Sequence, residues 1–147
     1  MSATSGTEVV ADASVVLKWF HAEGEEEVEA ARRLLDAQRD RTMLVRILDL
    51  TAYEIGNALL RGRPRLAAER VAEVLDALPA ICPAIASEPA DLAHAARLAE
   101  EHGLTLYDAA YAAVARRRGA ELVTLDGQLL RAGLGRRPSE LAGTSSA

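Results

Sequence analysis

Three short apolar runs, Glu8-Val9-Val10-Ala11, Met43 to Leu48 and Glu121-Leu122-Val123-Thr124, are separated by long stretches whose apolar residues return at helical spacing. Strands that alternate with helices cannot be joined by tight hairpins, so this pattern calls for a parallel sheet covered on both faces. The expected fold class is α/β, a three-layer α/β/α arrangement with a short central parallel sheet flanked by helices. The first helix runs from Val15 to Phe20 behind Ser14, which can cap it. The second covers Glu25 to Arg39, with Val28, Ala31, Leu34 and Leu35 as its apolar stripe and glutamates near its positive end. Further helices are read over Asp49 to Leu60, ended by Gly62, over Pro64 to Leu78, Glu88 to His102 and Leu106 to Arg118, and briefly from Gln128. Pro79, Pro83 and Pro89 punctuate an extended segment around Ile81 to Ile85. A chain of 147 residues has room for one such domain, placed at residues 8–140, with short flexible tails at 1–7 and 141–147.

Composition narrows the partners. Hydrophobic residues make up 50% and charged residues 27%, an ordinary globular balance. Aromatics are only 3%, so aliphatic and alanine packing must fill the core, and a platform for stacking single-stranded bases is not expected. The start, Met1 to Thr7, lacks the basic and apolar parts of a signal peptide, and no run is long enough to cross a bilayer. Cys82 is the single cysteine, which excludes an internal disulfide and a cysteine-based zinc site. It reads as a small buried apolar residue, and the expected setting is cytoplasmic. A net charge of −5 has the wrong sign for a nucleic-acid partner unless the acids cluster where bound cations offset them. Lys18 is the one lysine; the other basic residues are arginines, the better bidentate phosphate ligands.

Four acids fall where such a sheet would bring them together. In an open parallel sheet the carboxyl ends of the strands form the ligand crevice. Asp12 directly follows the first strand, and Asp126 follows the strand ending at Thr124. Asp108 lies in the first turn of the helix before that strand, and Glu54 in the helix after the second apolar run. Each has an ordinary structural alternative. Asp126 could cap the helix near Gln128, Thr105 and Asp108 could form a capping box, and Glu54 could be a solvated helix residue. Asp12 is hardest to explain that way, because a charge after an apolar strand is costly without a partner. Together they form an oxygen-only donor set that suits Mg²⁺ or Mn²⁺, since His21, His94 and His102 show no paired zinc-ligand spacing. Carboxylates held close together also need such a counter-charge.

These residues lie in four blocks that resemble VapC toxins of the PIN-domain superfamily. The blocks are Val10-Ala11-Asp12-Ala13-Ser14 with Lys18-Trp19-Phe20, Glu54-Ile55-Gly56-Asn57-Ala58-Leu59, Leu106-Tyr107-Asp108-Ala109-Ala110-Tyr111, and Gly119 to Asp126. The resemblance spans about Val9 to Leu130, and the order of the blocks makes it specific. Many relatives carry a proline before the second block, where this chain has Arg46-Ile47-Leu48-Asp49-Leu50. The resemblance implies a PIN-like fold and a toxin of a type II toxin–antitoxin system. Its activity would be that of a Mg²⁺-dependent endoribonuclease, with Mn²⁺ as a substitute, that cleaves RNA phosphodiester bonds with activated water. By the same resemblance Asp12, Glu54, Asp108 and Asp126 hold the metal and are catalytic, Ser14 and Thr124 supply hydroxyls, and Asn57 orients an acid.

A homodimer and a cognate antitoxin are implied as well, the antitoxin laying a C-terminal segment across the acidic pocket. Val15, Val16, Trp19 and Phe20 are the expected groove for that segment, assembling the toxin–antitoxin hetero-oligomer. Arg61, Arg63 and Arg65, or Arg116, Arg117 and Arg118, could guide RNA phosphates. Two other functions fit less well. An aspartate-based phosphatase or receiver domain also places an acid after its first strand, yet nothing after Lys18 is lysine, and Asp12-Ala13-Ser14 lacks the second aspartate of the phosphatase pattern. A catalytically silent PIN-type module binding RNA or protein would be marked by lost acids, and all four are present. Cleavage of DNA is a third alternative, because the hydrolysis itself is blind to the sugar.

Overall fold

The computed structural model describes residues 7–20 and 26–141. The elements are β1 (Thr7–Ala11), α1 (Ala13–Phe20), α2 (Val28–Asp40), β2 (Met43–Leu48), α3 (Asp49–Arg61), α4 (Ala68–Ile81), β3 (Ala84–Ile85), α5 (Pro89–His102), α6 (Leu106–Arg118), β4 (Glu121–Val123) and α7 (Gly127–Arg131). A 3-10 turn follows at Pro138–Glu140. All pairings are parallel, in the order β3-β2-β1-β4. Val9 pairs with Val45 on one side of β1, and Val10 with Leu122 on the other. The chain winds outward from β1 through β2 to β3 and then returns to the far side of β1, so the winding reverses between β1 and β4. That reversal opens a crevice at the carboxyl ends of these two strands.

Alternation along β1 divides the core in two. Val9 and Ala11 face a layer built from α1, α2, α3 and α4, through Val15, Leu34, Ile55 and Val71 among others. Val10 faces α5, α6 and α7, through Leu98, Ala113 and Leu129. Helix α6 is buried from Ala109 to Ala115 without a break. A helix buried all round needs a slim profile, and its alanines supply one between the sheet and α5. The three-layer α/β/α expectation is thus met.

Local differences have physical causes. Helix α2 opens at Val28, because Glu27 adopts a left-handed conformation with φ 65°. Glu25 and His21, both used in the sequence reading, lie outside the described residues, as do the tails apart from Thr7 and Leu141. Thr7 opens β1 and Leu141 is buried, each one residue outside the expected limits of 8 and 140. Helix α4 does not begin at Pro64 but at Ala68, and it runs through Pro79 to Ile81. Pro79 is on the exposed side, where water can satisfy the carbonyl it leaves unpaired. The extended segment therefore shrinks to Ala84–Ile85. Cys82 is fully buried and its thiol is pushed up to about 12 by that burial, which makes it inert. Among the described residues no helix is long and apolar enough to cross a membrane.

Candidate active site

Asp12 leaves β1 at the crevice and is 4% exposed. Its carboxylate is gripped from both ends of the chain. Oδ1 accepts the Ser14 backbone N–H at 3.1 Å and the Ser14 hydroxyl at 2.5 Å, while Oδ2 accepts the Thr124 hydroxyl at 2.5 Å. Each hydroxyl is itself aimed by a backbone donor: Leu125 N–H donates to Ser14 Oγ at 2.9 Å, and Asp126 N–H to Thr124 Oγ1 at 2.9 Å. These bonds favour the ionised form, yet burial outweighs them and raises the Asp12 carboxyl to about 6.

Glu54 projects from α3 into the same region. Leu48 N–H donates to Thr51 Oγ1 at 3.0 Å, and Tyr111 donates its hydroxyl to Glu54 Oε1 at 2.7 Å. The Tyr111 proton is committed to Glu54, so Thr51 must donate to Tyr111 across their 2.7 Å contact. Burial pushes the Glu54 carboxyl above its ordinary value, opposed by the Tyr111 bond and reinforced by the charges of Asp12 and Asp108. Asp108 is raised by burial and next by the charge of Asp126, against the bond from Thr105. These pairwise repulsions link Asp12 to Glu54, Glu54 to Asp108, and Asp108 to Asp126.

The ordinary readings of these acids can now be separated. Asp126 does cap α7, its Oδ1 accepting Gln128 N–H at 2.8 Å and Leu129 N–H at 3.1 Å. For Asp108 only half of the capping box forms: Thr105 Oγ1 accepts Asp108 N–H at 3.1 Å, but among the described residues the Asp108 carboxylate has no hydrogen-bond partner. Asn57 is exposed and its amide makes no bond among the described residues, so the expected orienting contact to an acid is not formed. Thr51 and Tyr111 were not assigned roles from sequence. Their signal was faint: each stands three residues from a site acid on the same helix, where side chains share a face.

Among the described residues no three carboxylate, imidazole or thiol side chains close into a ready-made metal cage. The donor set nevertheless fits a hard divalent ion. It offers only oxygens, it includes carboxylate oxygens that have no hydrogen-bond partner among the described residues, and its members repel one another in a way that a cation would relieve.

Two other expectations are corrected. Val15 and Val16 are wholly buried in the core, so they cannot receive a peptide, and Trp19 and Phe20 are half-buried against it. Trp19 also spends its indole N–H on Ala31 O at 2.8 Å. The opening beside the acids is instead a cavity of about 300 Å³ between α1 and α3, lined by Ser14, Leu17, Lys18, Ala58, Gly62 and Leu125. In the second arginine cluster, Arg117 holds Asp91 at 2.8 Å and Arg118 holds Glu8 at 2.7 Å. Both lie about 15 Å further along α6 than Asp108, at the amino edge of the sheet. Arg61, Arg63 and Arg65 are exposed and make no ion pair among the described residues.

Comparison with known proteins gives the same architecture. The PIN domain family model, "PIN domain", matches residues 9–134. The chain is 37% identical over 125 residues to "Ribonuclease VapC3" of Pyrobaculum aerophilum, covering 82% of this chain and 91% of that protein. It is 42% identical over 90 residues to "Exonuclease VapC9" of the same organism, covering 57% and 63%. Among solved structures, that of VapC20 of Mycobacterium tuberculosis, described as a Sarcin-Ricin loop cleaving toxin, superposes with a TM-score of 0.67. It shares 21% identity, covering 85% of this chain and 95% of that one. The PIN domain is a nuclease fold whose members generally use a divalent metal. With the acids brought to the carboxyl edge of the sheet, and with a match that spans both halves of the core, the chain belongs to the PIN-domain family as a VapC-type member.

Proposed function

We propose that this protein is the toxin of a type II toxin–antitoxin pair and a Mg²⁺-dependent endoribonuclease, in which Asp12, Glu54, Asp108 and Asp126 hold the metal. The observation that carries this reading is the unbroken chain of repulsion among four carboxylates drawn from separate parts of the chain, three of them raised. When bound, the ion supplies positive charge that activates water and stabilises the leaving oxygen of a phosphodiester; Mn²⁺ can substitute.

The protein's own groups prepare that site. Ser14 and Thr124 fix the plane of the Asp12 carboxylate, so no reorganisation is needed on loading. Tyr111 engages one oxygen of Glu54 and leaves the other for the ion. Asp108 contributes a carboxylate with no competing hydrogen-bond partner among the described residues. The antitoxin, in this reading, lays an amphipathic segment into the cavity lined by Leu17, Lys18, Ala58 and Leu125, with a basic side chain reaching the acids. A cytoplasmic homodimer acting on RNA completes the proposal.

The test is inducible expression of the wild type and Asp108→Asn in cells lacking the antitoxin, with sequencing of RNA ends. Growth arrest and new 5′ ends are expected only from the wild type. Equal growth and identical ends would remove the toxin reading.

A further inference from the structure

A second cavity, of about 390 Å³, lies between the end of α5 and α7 and is lined by His102, Gln128, Arg131 and Ala132. It adjoins the acids, because Asp126 immediately precedes α7 and accepts the backbone N–H of Gln128. Arg131 folds back along α7 over Gly127: a Cβ there would stand 2.9 Å from its Nη1 and 3.5 Å from its Cζ. The absence of a side chain at 127 therefore leaves room for the guanidinium over the first turn of α7. Among the described residues no carboxylate pairs with Arg131, and the Gln128 side-chain amide has no partner. Among the described residues His102 has only a 4.0 Å contact with Glu101. A guanidinium, an amide and an imidazole thus share one open cavity at the rim of a strongly negative pocket.

We propose that this cavity is a phosphate-binding subsite that holds a backbone phosphate of the substrate strand next to the one being cut. The inference rests on the nuclease reading above. A polyanion must approach four carboxylates, and a bound metal serves only the phosphate in reaction, so the neighbouring phosphates need a cation of the protein's own. Arg131 supplies a planar fork of donors that matches a phosphate, Gln128 an amide N–H, and His102 a ring N–H in either tautomer. These groups contact charge and not bases, so the subsite sets the register of the strand and not its sequence.

The experiment uses the full chain and a single-stranded RNA oligonucleotide that it cuts, made as a series in which each phosphate in turn is a neutral methylphosphonate. Binding is measured with Asp12→Asn, so that the strand survives, and cleavage with the otherwise unaltered protein. One phosphate at a fixed offset from the cut should weaken binding when neutralised, by roughly two- to fivefold. Arg131→Gln should weaken the unmodified strand by the same factor and abolish sensitivity at that one position. Arg131→Lys should recover part of the affinity, and His102→Gln should lose less than Arg131→Gln. The slope of log Kd against log salt should fall by about 0.7 in Arg131→Gln. In cleavage, Arg131→Gln should raise KM with kcat little changed.

If the wild type cuts RNA and Arg131→Gln binds every methylphosphonate strand in the wild-type pattern, the subsite is wrong and the nuclease stands. If nothing is cut with any divalent metal, the nuclease reading fails and the subsite, which is defined by the phosphate being cut, falls with it; the absence of new RNA ends marks that failure, whereas the methylphosphonate pattern marks failure of the subsite alone. Inorganic phosphate bound in an Arg131-dependent way, with no such effect on the strand, would make this a free-anion site and overturn the proposal.

Discussion

The hydroxyl of Thr124 stands 2.5 Å from Oδ2 of Asp12, although 112 residues separate them in sequence. This bond joins the ends of β1 and β4 across the reversal of the sheet, and the Ser14 hydroxyl closes the other side of the same carboxylate. A buried acid held this way is rigid, yet the groups that hold it are neutral donors that leave its charge unbalanced.

Stability without metal should consequently fall as pH rises. Asp12 has a folded value of about 6 against an ordinary 3.8, so the folded state binds the proton more tightly than the unfolded chain does. Its contribution is present below about 4 and is lost through about 6, a loss of about 3 kcal/mol. Glu54 and Asp108 are raised too and add in the same direction. Urea unfolding in a chelator at a series of pH values measures this. Asp12→Asn should flatten the slope, and Mg²⁺ should stabilise the wild type more at pH 7 than at pH 4.5. An identical slope in wild type and variant would refute the assignment.

Thr124→Val keeps the shape of the side chain but removes the hydroxyl. It leaves Asp12 Oδ2 without its donor and Asp126 N–H without its acceptor. The expected cost is about 1–3 kcal/mol, and the acidic limb of the rate profile should move to higher pH because a bond favouring the ionised form is gone. Denaturation curves and pH–rate profiles on the same variant check both effects.

Tyr111→Phe interrupts the relay from Thr51 to Glu54. A buried hydroxyl of Thr51 loses its acceptor, at a cost of about 1–2 kcal/mol. Glu54 loses the bond that opposes its upward shift, so its protonation extends to higher pH. Activity near pH 6 should fall further than activity at pH 8. A uniform loss at all pH values would assign Tyr111 to packing alone.

Gly135 is confined by β4. A Cβ there would stand 2.7 Å from Thr124 Cγ2 and 3.2 Å from Leu122 O, while the neighbouring Arg136 bonds both Leu122 and Thr124 through its backbone. Gly135→Ala must push Thr124 away from Asp12, at a cost of about 1–3 kcal/mol. Catalysis per folded molecule should fall with stability. Full activity at a lowered Tm would show that the clamp tolerates the displacement.

Arg117→Ala removes the partner of the buried Asp91, at the amino edge of the sheet. The variant should lower Tm while RNA binding and its salt dependence stay unchanged. A reduced salt slope would restore Arg117 to the RNA-binding surface.

Much of the architecture was legible because periodicity is local. The spacing of Val28, Ala31, Leu34 and Leu35 sufficed for α2, whereas its start depended on the left-handed Glu27, which has no spacing signature. Proline was over-read at position 79, since a helix tolerates it where the freed carbonyl meets water. At the site, Asp12 and Asp126 were legible as acids after strands, Asp108 as one in a first turn, and Glu54 as part of the second block of the family resemblance. Asn57 stands three residues from Glu54 on the same helix, yet it is exposed and its amide meets no acid among the described residues, which spacing alone does not reveal.

By itself the sequence determined the order of strands and helices, the arrival of the acids at one edge of the sheet, and the family, because each depends on residue type and short-range spacing. Tertiary structure alone decided that Ser14 and Thr124 clamp Asp12 and that Tyr111 serves Glu54. It also decided that Val15 and Val16 are core and that Arg117 and Arg118 are bound to acids. Most of these partners lie tens of residues apart or more, and burial and contact across such distances are set by how whole layers pack, which no local pattern records.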